Sequence, residues 1–412
     1  MSIRLCLFDL DNTLLRTDDL EVFRGRENVN RTSRDYTRAL LREYRSRDDR
    51  LLYTPEQLEH LQEEFPRMCW GVFTRAPRHY ASTLLDEAYP QMEWDILVAY
   101  EDVRNTKPNP EGIELAARRL GVRRRDQVVL VGDEKVDVVC AYRAGCWVFI
   151  DQATWQPREN VHWWALERVP DALFEGASEL EDLLASPYLG VPELEYLING
   201  ERLLGRQRRI DRVNHFFPRS AGGGYVPIHV MGRLFGEHEE IRYRRETHVL
   251  TDQIIAHKDA DEFPDEWIEA IQRFVRSDKH RNLDTVVTVV PFKPGRPPRL
   301  EGLLDQVASA YQARYLSADD AAPNVSFCAD VLAFRVGAVS SHGNHLNAHE
   351  RFANVGDNLH IRRPRKIQGK HVIVIDDVVT TGATLLWSHR YLREAGARSV
   401  SCLSLAQAVG AN

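Results

Sequence analysis

The stretch Val372-Ile373-Val374-Ile375-Asp376-Asp377-Val378-Val379-Thr380-Thr381-Gly382-Ala383-Thr384 decides how the second half of the chain is read. Four β-branched apolar residues, Val372 to Ile375, make a buried-strand pattern that runs up to two adjacent carboxylates. A loop follows, made of Thr380, Thr381, Gly382, Ala383 and Thr384, and a helix pattern begins at Leu385 and ends near Gly396. Strand, loop and helix in that order cradle an anion, because loop amides and helix N-terminal N–H groups converge on it and Thr hydroxyls add donors. Asp376 and Asp377, one loop earlier, can accept hydrogen bonds from vicinal hydroxyls or hold a divalent cation through water. A ribose 5-phosphate satisfies both halves, with its diol on the acids and its phosphate on the loop. The stretch is not a Walker loop, since no Gly-Lys-Ser/Thr follows.

These residues resemble the PRPP-binding motif of type I phosphoribosyltransferases. The resemblance implies that Asp376 and Asp377 hold the ribose hydroxyls and that residues 380–384 hold the 5-phosphate. Upstream, a buried-strand pattern after Asp284 runs into Pro291, Lys293, Gly295, Arg296 and Arg299. In transferases of this type the loop after an early strand binds pyrophosphate, a task suited to Lys293 and Arg296. The segment Leu346 to Asn354, with Arg351 inside it, resembles an L-x-x-x-x-R-x-x-N segment of ComF-like members, so Arg335 and Arg351 become candidate phosphate contacts. The chain departs from that family by lacking an N-terminal cysteine zinc ribbon and by a changed pyrophosphate loop. His342, His345 and His349 have metal-ligand chemistry. Gly343 interrupts any regular helix through them and no Cys lies near, so a zinc site is not the favoured reading.

The first half opens on another strand pattern, Ile3 to Leu10, ending in Asp9-Leu10-Asp11-Asn12-Thr13-Leu14. Carboxylates spaced two apart at a strand's C-terminal end lie where open α/β sheets bind ligands. Three further stretches follow in order: Gly71 to Thr74, a short strand closing on a hydroxyl; Lys107-Pro108; and Val128 to Asp133, a strand running on through Gly132-Asp133 to Asp137. Together they resemble the four motifs of the haloacid-dehalogenase-like (HAD) superfamily, over about residues 1–187. The resemblance implies Asp9 as the nucleophile that forms an aspartyl-phosphate, and Asp11 as the acid and base. Thr74 and Lys107 would bind phosphoryl oxygens. Asp9, Asp11 through its carbonyl, and Asp133 would hold Mg2+, with Asp137 as a further ligand or an anchor. An Asp at the second position of the first motif marks a phosphatase rather than a dehalogenase.

Residues 15–70 read as a small helical cap. Arg31, Arg34, Arg38, Arg42 and Arg45 recur on one helix face, opposite Tyr36, Leu40 and Tyr44. A solvated, partly ion-paired face is preferred over an arginine ridge that steers a polyphosphate or nucleic acid. Trp155, Trp163 and Trp164 are read as packing residues, and Ser186 to Pro192 as a linker.

The chain has 412 residues, 43% hydrophobic and 28% charged, which suits two globular domains. A net charge of -7 gives no global case for nucleic-acid binding. No Cys-x-x-Cys pair occurs among the six cysteines, so reduced thiols in the cytoplasm are expected. The sequence begins on a strand pattern rather than a signal peptide, and no apolar run is long enough to span a membrane.

The expectation is an α/β protein of two domains. A Rossmann-like HAD domain with a small helical cap spans 1–187, and a type I phosphoribosyltransferase fold spans 188–412. The expected function is bifunctional: Mg2+-dependent phosphomonoester hydrolysis plus PRPP-dependent phosphoribosyl transfer in nucleotide or nucleoside-like metabolism. A phosphorylated small molecule and PRPP are the expected partners, while nucleic acid is not favoured and the oligomeric state stays open. Two readings of other classes remain beside it: a phosphatase regulated by a PRPP or nucleotide sensor, and a phosphatase that processes nucleic-acid ends.

Overall fold

The computed structural model describes residues 2–155, 168–199, 209–277, 283–292, 297–316, 324–335 and 348–410. The chain divides into two units. One comprises Met1–Val191 with Gly236–Thr247 and Gly410–Asn412, the other Pro192–Phe235 with His248–Val409. No described helix is long and apolar enough to cross a membrane.

In the first unit, apolar runs buried at every or nearly every position form a parallel sheet. Its strands are β1 Leu5–Phe8, β2 Cys69–Phe73, β3 Ile96–Val98, β4 Val128–Gly132, β5 Trp147–Asp151 and β6 Ala172–Phe174. Their order is β3-β2-β1-β4-β5-β6, with every neighbouring pair parallel. The chain moves outward from β1 in one direction through β2 and in the other through β4. Such a reversal leaves a crevice beyond the C-terminal ends of the central strands.

The chain between β1 and β2 forms the cap, with helices Arg34–Tyr44 and Pro55–Glu64. Ser33 caps the first by accepting from the Tyr36 amide, and Thr54 with Gln57 forms a capping box on the second. Tyr36, Leu40 and Tyr44 are buried, whereas Arg31, Arg34, Arg38, Arg42 and Arg45 are exposed. Arg38 pairs with Asp35 at 3.5 Å and Arg45 with Glu87 at 2.7 Å, so this face is solvated and partly ion-paired. Arg50 closes the cap. Its buried guanidinium donates to Asp19 and to the carbonyls of Arg16, Glu43 and Tyr44.

Residues Gly236–Thr247 also belong to this unit, although they follow residues of the second unit in the chain. Arg244 lies between Tyr142 and Trp147, its guanidinium carbon 5.4 Å and 5.9 Å from their rings, and pairs with the buried Asp171. Tyr243 covers Gly145, where a Cβ would come 2.5 Å from its ring.

The second unit is built on β7 Asp211–Phe216, β8 Tyr225–Val230, β9 Arg233–Phe235, β10 Thr285–Val289, β11 Val325–Phe327, β14 His371–Val379 and β15 Ser399–Val409. The order is β11-β10-β14-β15-β8-β7, with β9 also on β15, and only β7 and β8 are antiparallel. A separate antiparallel pair joins β12 Leu332–Phe334 to β13 Leu359–Ile361. The strand expected to end at Ile375 continues through Asp376 and Asp377 to Val379, because β15 keeps pairing with it as far as Gln407. The following helix, Ala383–Glu394, starts two residues earlier than its apolar pattern, with Gly382 as its left-handed N-cap.

Helix Ala348–Asn358 packs against that helix. Trp387 donates its indole N–H to the Phe352 carbonyl at 3.0 Å, and a Cβ at Gly356 would lie 2.7 Å from the Trp387 ring. Phe217 completes the cluster edge-on to both rings.

Candidate active sites

Three neighbouring strands deliver the first site. Asp9 follows β1, Thr74 follows β2 and Asp133 follows β4, so their side chains meet at the C-terminal edge where the strand order reverses. Lys107 enters from the loop after β3 and is fully buried. Its ammonium lies 2.9 Å from Asp9 Oδ1 and 2.8 Å from Asp137 Oδ1. Asp137 sits in the first turn of helix Lys135–Ala144 and also accepts from the Glu134 amide at 3.3 Å. Gly132 is required by that carboxylate, because a Cβ there would fall 2.3 Å from Asp137 Oδ2. Carboxylate oxygens of Asp9, Asp133 and Asp137 all lie within 4.8 Å of one another.

So many acids in a buried place resist ionising. Burial, with the charges of Asp137 and Asp11, raises Asp9 to about 6 against the opposing pull of Lys107. Burial, with the charges of Asp137, Asp9 and Glu134, pushes Asp133 well above the usual carboxylate range. Burial alone would lower Lys107, but Asp137 and Asp9 outweigh it and keep the ammonium charged.

Asp11 faces the cap. Its Oδ1 accepts from Thr17 Oγ1 at 2.7 Å and from the Tyr80 hydroxyl at 2.9 Å, and Arg24 Nη1 lies 3.2 Å away. A cleft of ≈ 390 Å³ opens over this cluster, lined by Asp9, Asp11, Arg24, Thr74, Asp133 and Glu134 among others.

The second site is smaller, a cavity of ≈ 100 Å³ lined by Asp376, Val378 to Thr384, Asn354 and Val355. Gly382 takes a φ of 74, and a Cβ there would sit 2.8 Å from the His215 ring, so only glycine fits this turn. Asp376 lines the cavity, but the Asp377 carboxylate is paired with Arg299. Arg299 also donates to the His257 carbonyl at 3.2 Å.

Two family models match the chain. A haloacid dehalogenase-like hydrolase model covers residues 29–150, and a phosphoribosyl transferase domain model covers residues 320–410. The chain joins a haloacid dehalogenase-like hydrolase domain to a phosphoribosyl transferase domain. The first match includes Thr74, Lys107, Asp133 and Asp137, while Asp9 and Asp11 precede it. The second includes the whole stretch from Val372 to Thr384.

The phosphoglycolate phosphatase of Salmonella typhimurium is 34% identical over 76 residues, 18% of this chain and 30% of that protein. The Escherichia coli phosphoglycolate phosphatase is 32% identical over 76 residues, with the same coverage of 18% and 30%. The aligned region thus spans 30% of the length of these curated relatives. A HAD-superfamily hydrolase from Geobacter sulfurreducens overlays with 19% identity and a TM-score of 0.29, covering 44% of this chain and 100% of that one. One from Ehrlichia chaffeensis overlays with 18% identity and a TM-score of 0.30, covering 45% and 98%.

In the hydrolase domain, Asp9, Asp11, Thr74 and Asp133 all line one cleft, and Lys107 and Asp137 stand immediately behind it. In the transferase domain, Asp376 and Thr380 to Thr384 share one cavity. Lys293 and Arg296 lie outside the described residues, as do His342, His345, Trp163 and Trp164. Arg351 and His349 fall in helix Ala348–Asn358, but their side chains are outside the described set. Arg335 is exposed. Sequence reasoning missed Thr17, Arg24 and Tyr80 around Asp11, and the Arg299 pairing with Asp377. No spacing rule marks these contacts, because each depends on how separate segments return to the site.

Proposed function

We propose that the chain is a bifunctional enzyme. The hydrolase domain would hydrolyse phosphomonoesters through an aspartyl-phosphate at Asp9, and the transferase domain would transfer phosphoribosyl groups from PRPP. The observation that carries this reading is the meeting of Asp9, Thr74, Lys107 and Asp133 at one sheet edge.

A divalent cation fits the first site. Three carboxylates, two buried and one half-buried, lie together and one ammonium partly balances them, which leaves negative charge for a hard cation to offset. Asp9, the Asp11 carbonyl and Asp133 would hold Mg2+, with Asp137 as a further ligand or as the anchor that aims Lys107. When bound, the ion supplies charge neutralisation to the transferring phosphoryl group. An Asp9 oxygen attacks phosphorus, the bond to the ester oxygen breaks, and Asp11 gives that oxygen a proton. Water then attacks phosphorus, Asp11 takes its proton, and phosphate leaves Asp9. Thr74 and Lys107 hold the phosphoryl oxygens throughout.

In the transferase domain, loop Thr380–Thr384 would hold the 5-phosphate and Asp376 with Asp377 the ribose hydroxyls. Lys293 and Arg296 would hold the pyrophosphate, and Arg351 would be a further phosphate contact. Loss of pyrophosphate from C1 develops oxocarbenium charge, and orientation with charge stabilisation supplies the catalysis. Removal of a 5-phosphate by the first domain would draw a reversible transfer forward. The Arg299–Asp377 pair supports a second reading, a PRPP or nucleotide sensor without transfer, because it occupies an acid that transfer requires.

The test is a screen of the intact protein against phosphorylated metabolites, with and without PRPP and a panel of bases. Asp9→Asn should abolish phosphate release alone, and Asp376→Asn/Asp377→Asn should abolish pyrophosphate release alone. PRPP binding without pyrophosphate release for any base would leave the sensor reading standing.

A further inference from the structure

Arg24 lies beside Asp11, 3.2 Å from an oxygen that Thr17 and Tyr80 already engage at 2.7 Å and 2.9 Å. Thr17 and Tyr80 are buried, whereas the Arg24 side chain keeps 26% of its surface and lines the cleft. Its contact with Asp11 is therefore the longest of the three, the only one from a charged donor, and the one a ligand can reach. The contact engages Nη1, and a guanidinium carries five N–H donors in a planar fork. Burial works against its charge, but the Asp11 carboxylate keeps the group firmly ionised.

The other cleft arginines differ. Arg75 faces Glu134 at 3.5 Å, and Arg26 rests its guanidinium 5.9 Å from the Tyr100 ring. Lys107 pairs with Asp9 and Asp137, and its place in the proposed mechanism is at the transferring phosphoryl group. Place then decides what Arg24 can read. Lys107 approaches on the side of the attacking Asp9, whereas Arg24 adjoins Asp11, the group that would protonate the departing oxygen.

We infer that Arg24 is a specificity residue that recognises an anionic group carried by the leaving portion of the substrate, close to the ester oxygen. This rests on the phosphatase reading of the Asp9 site and narrows its substrates to small phosphorylated acids or closely spaced bisphosphates. A carboxylate or second phosphate there meets the guanidinium fork through paired, charge-assisted hydrogen bonds. An uncharged leaving group leaves Arg24 on Asp11 and gains nothing from it.

The experiment compares kcat/KM within matched pairs on the Mg2+-loaded full chain: 2-phosphoglycolate against ethyl phosphate, and ethylene glycol bisphosphate against 2-hydroxyethyl phosphate. The first pair reads a carboxylate and the second a phosphate as the source of the anion. Wild type should favour the anionic member of at least one pair. Arg24→Gln should shrink that preference by about 10- to 100-fold, chiefly through KM, as loss of a charge-assisted hydrogen bond dictates. Arg24→Lys should restore part of it. Equal falls for both members of each pair, or no preference in wild type, overturn the inference and leave the phosphatase reading intact. Failure of wild type to hydrolyse any of the four overturns the inference, whereas the phosphatase reading falls only if the metabolite screen shows no phosphate release that Asp9→Asn abolishes.

Discussion

Arg244 donates to Asp171, with Nη1 3.1 Å from Oδ1, across 73 residues of chain. Asp171 is fully buried and also accepts from the Val148 amide at 2.8 Å, so the carboxylate holds the end of β5 while Arg244 holds the carboxylate. Arg244 further reaches the Cys146 carbonyl. Segment Gly236–Thr247 is thus part of the hydrolase domain's fold even though the chain has already entered the second sheet. Removing Arg244 strands a buried charge. Arg244→Ala should destabilise this domain by about 3–5 kcal/mol, read as a shift in urea unfolding followed by tryptophan fluorescence. A shift under ~1 kcal/mol would mean that the pair is solvated in solution.

Mg2+ should stabilise the protein more at neutral than at acid pH. Burial raises Asp9 from 3.8 to about 6, and Asp133 and Asp137 move the same way. The folded state therefore keeps protons that the unfolded chain releases. The stability they contribute is fully present below the unfolded value and is lost as pH rises through the folded one. Metal-free protein should weaken at this site between pH 3.8 and about 6. Above that window a cation meets an ionised Asp9. Thermal unfolding in EDTA and in Mg2+, near pH 5 and near pH 7.5, checks this, and an equal gain at both would contradict it.

Asp9→Asn should leave the fold intact and lower phosphatase turnover by at least ~1,000-fold, since the neutral amide neither attacks phosphorus nor offsets a divalent cation's charge. Asp11→Asn should cost about 100- to 10,000-fold, the usual worth of a positioned acid and base. Circular dichroism alongside the assay separates chemistry from unfolding.

Asp376 and Asp377 should not be equivalent. Asp376 lines the cavity with Thr380 to Thr384, whereas Asp377 is held by Arg299. Asp376→Asn should weaken PRPP binding about tenfold more than Asp377→Asn, as loss of a direct contact exceeds loss of one that first has to be released. Calorimetric titration decides between this order and its reverse.

Gly382→Ala should damage the transferase site without touching the ligand's own contacts. The residue holds a φ of 74, and the added methyl would press on His215 at 2.8 Å. The left-handed conformation alone costs a side chain about 1–2 kcal/mol. PRPP affinity should fall about tenfold or more, with global stability changed much less; unchanged affinity would show that the loop rearranges freely.

Much of both sites was legible because their chemistry lies where strands end. Asp9, Thr74 and Asp133 each follow an apolar run, and parallel strands present their C-terminal ends on one edge, so local patterns predict a common place. The Thr380–Thr384 loop was legible for the same reason, its donors being neighbours in sequence. The limits of β14 were not, because β15 rather than propensity extends it past the carboxylates. The environment of Asp11 was not legible either. Thr17, Arg24 and Tyr80 reach one oxygen from a turn, the cap and a helix 69 residues away, and no periodicity relates them.

The sequence by itself determined two α/β domains, the order of their motifs, and, in the first domain, which carboxylates and hydroxyl stand at the strand ends. Burial patterns and turn chemistry are local, and one chain carries them residue by residue. Only the tertiary structure decided that residues 236–247 complete the first domain, that Arg24 guards Asp11, and that Arg299 engages Asp377. Those are pairings between distant charges, and their partners are fixed by where the backbone returns, which no local pattern encodes.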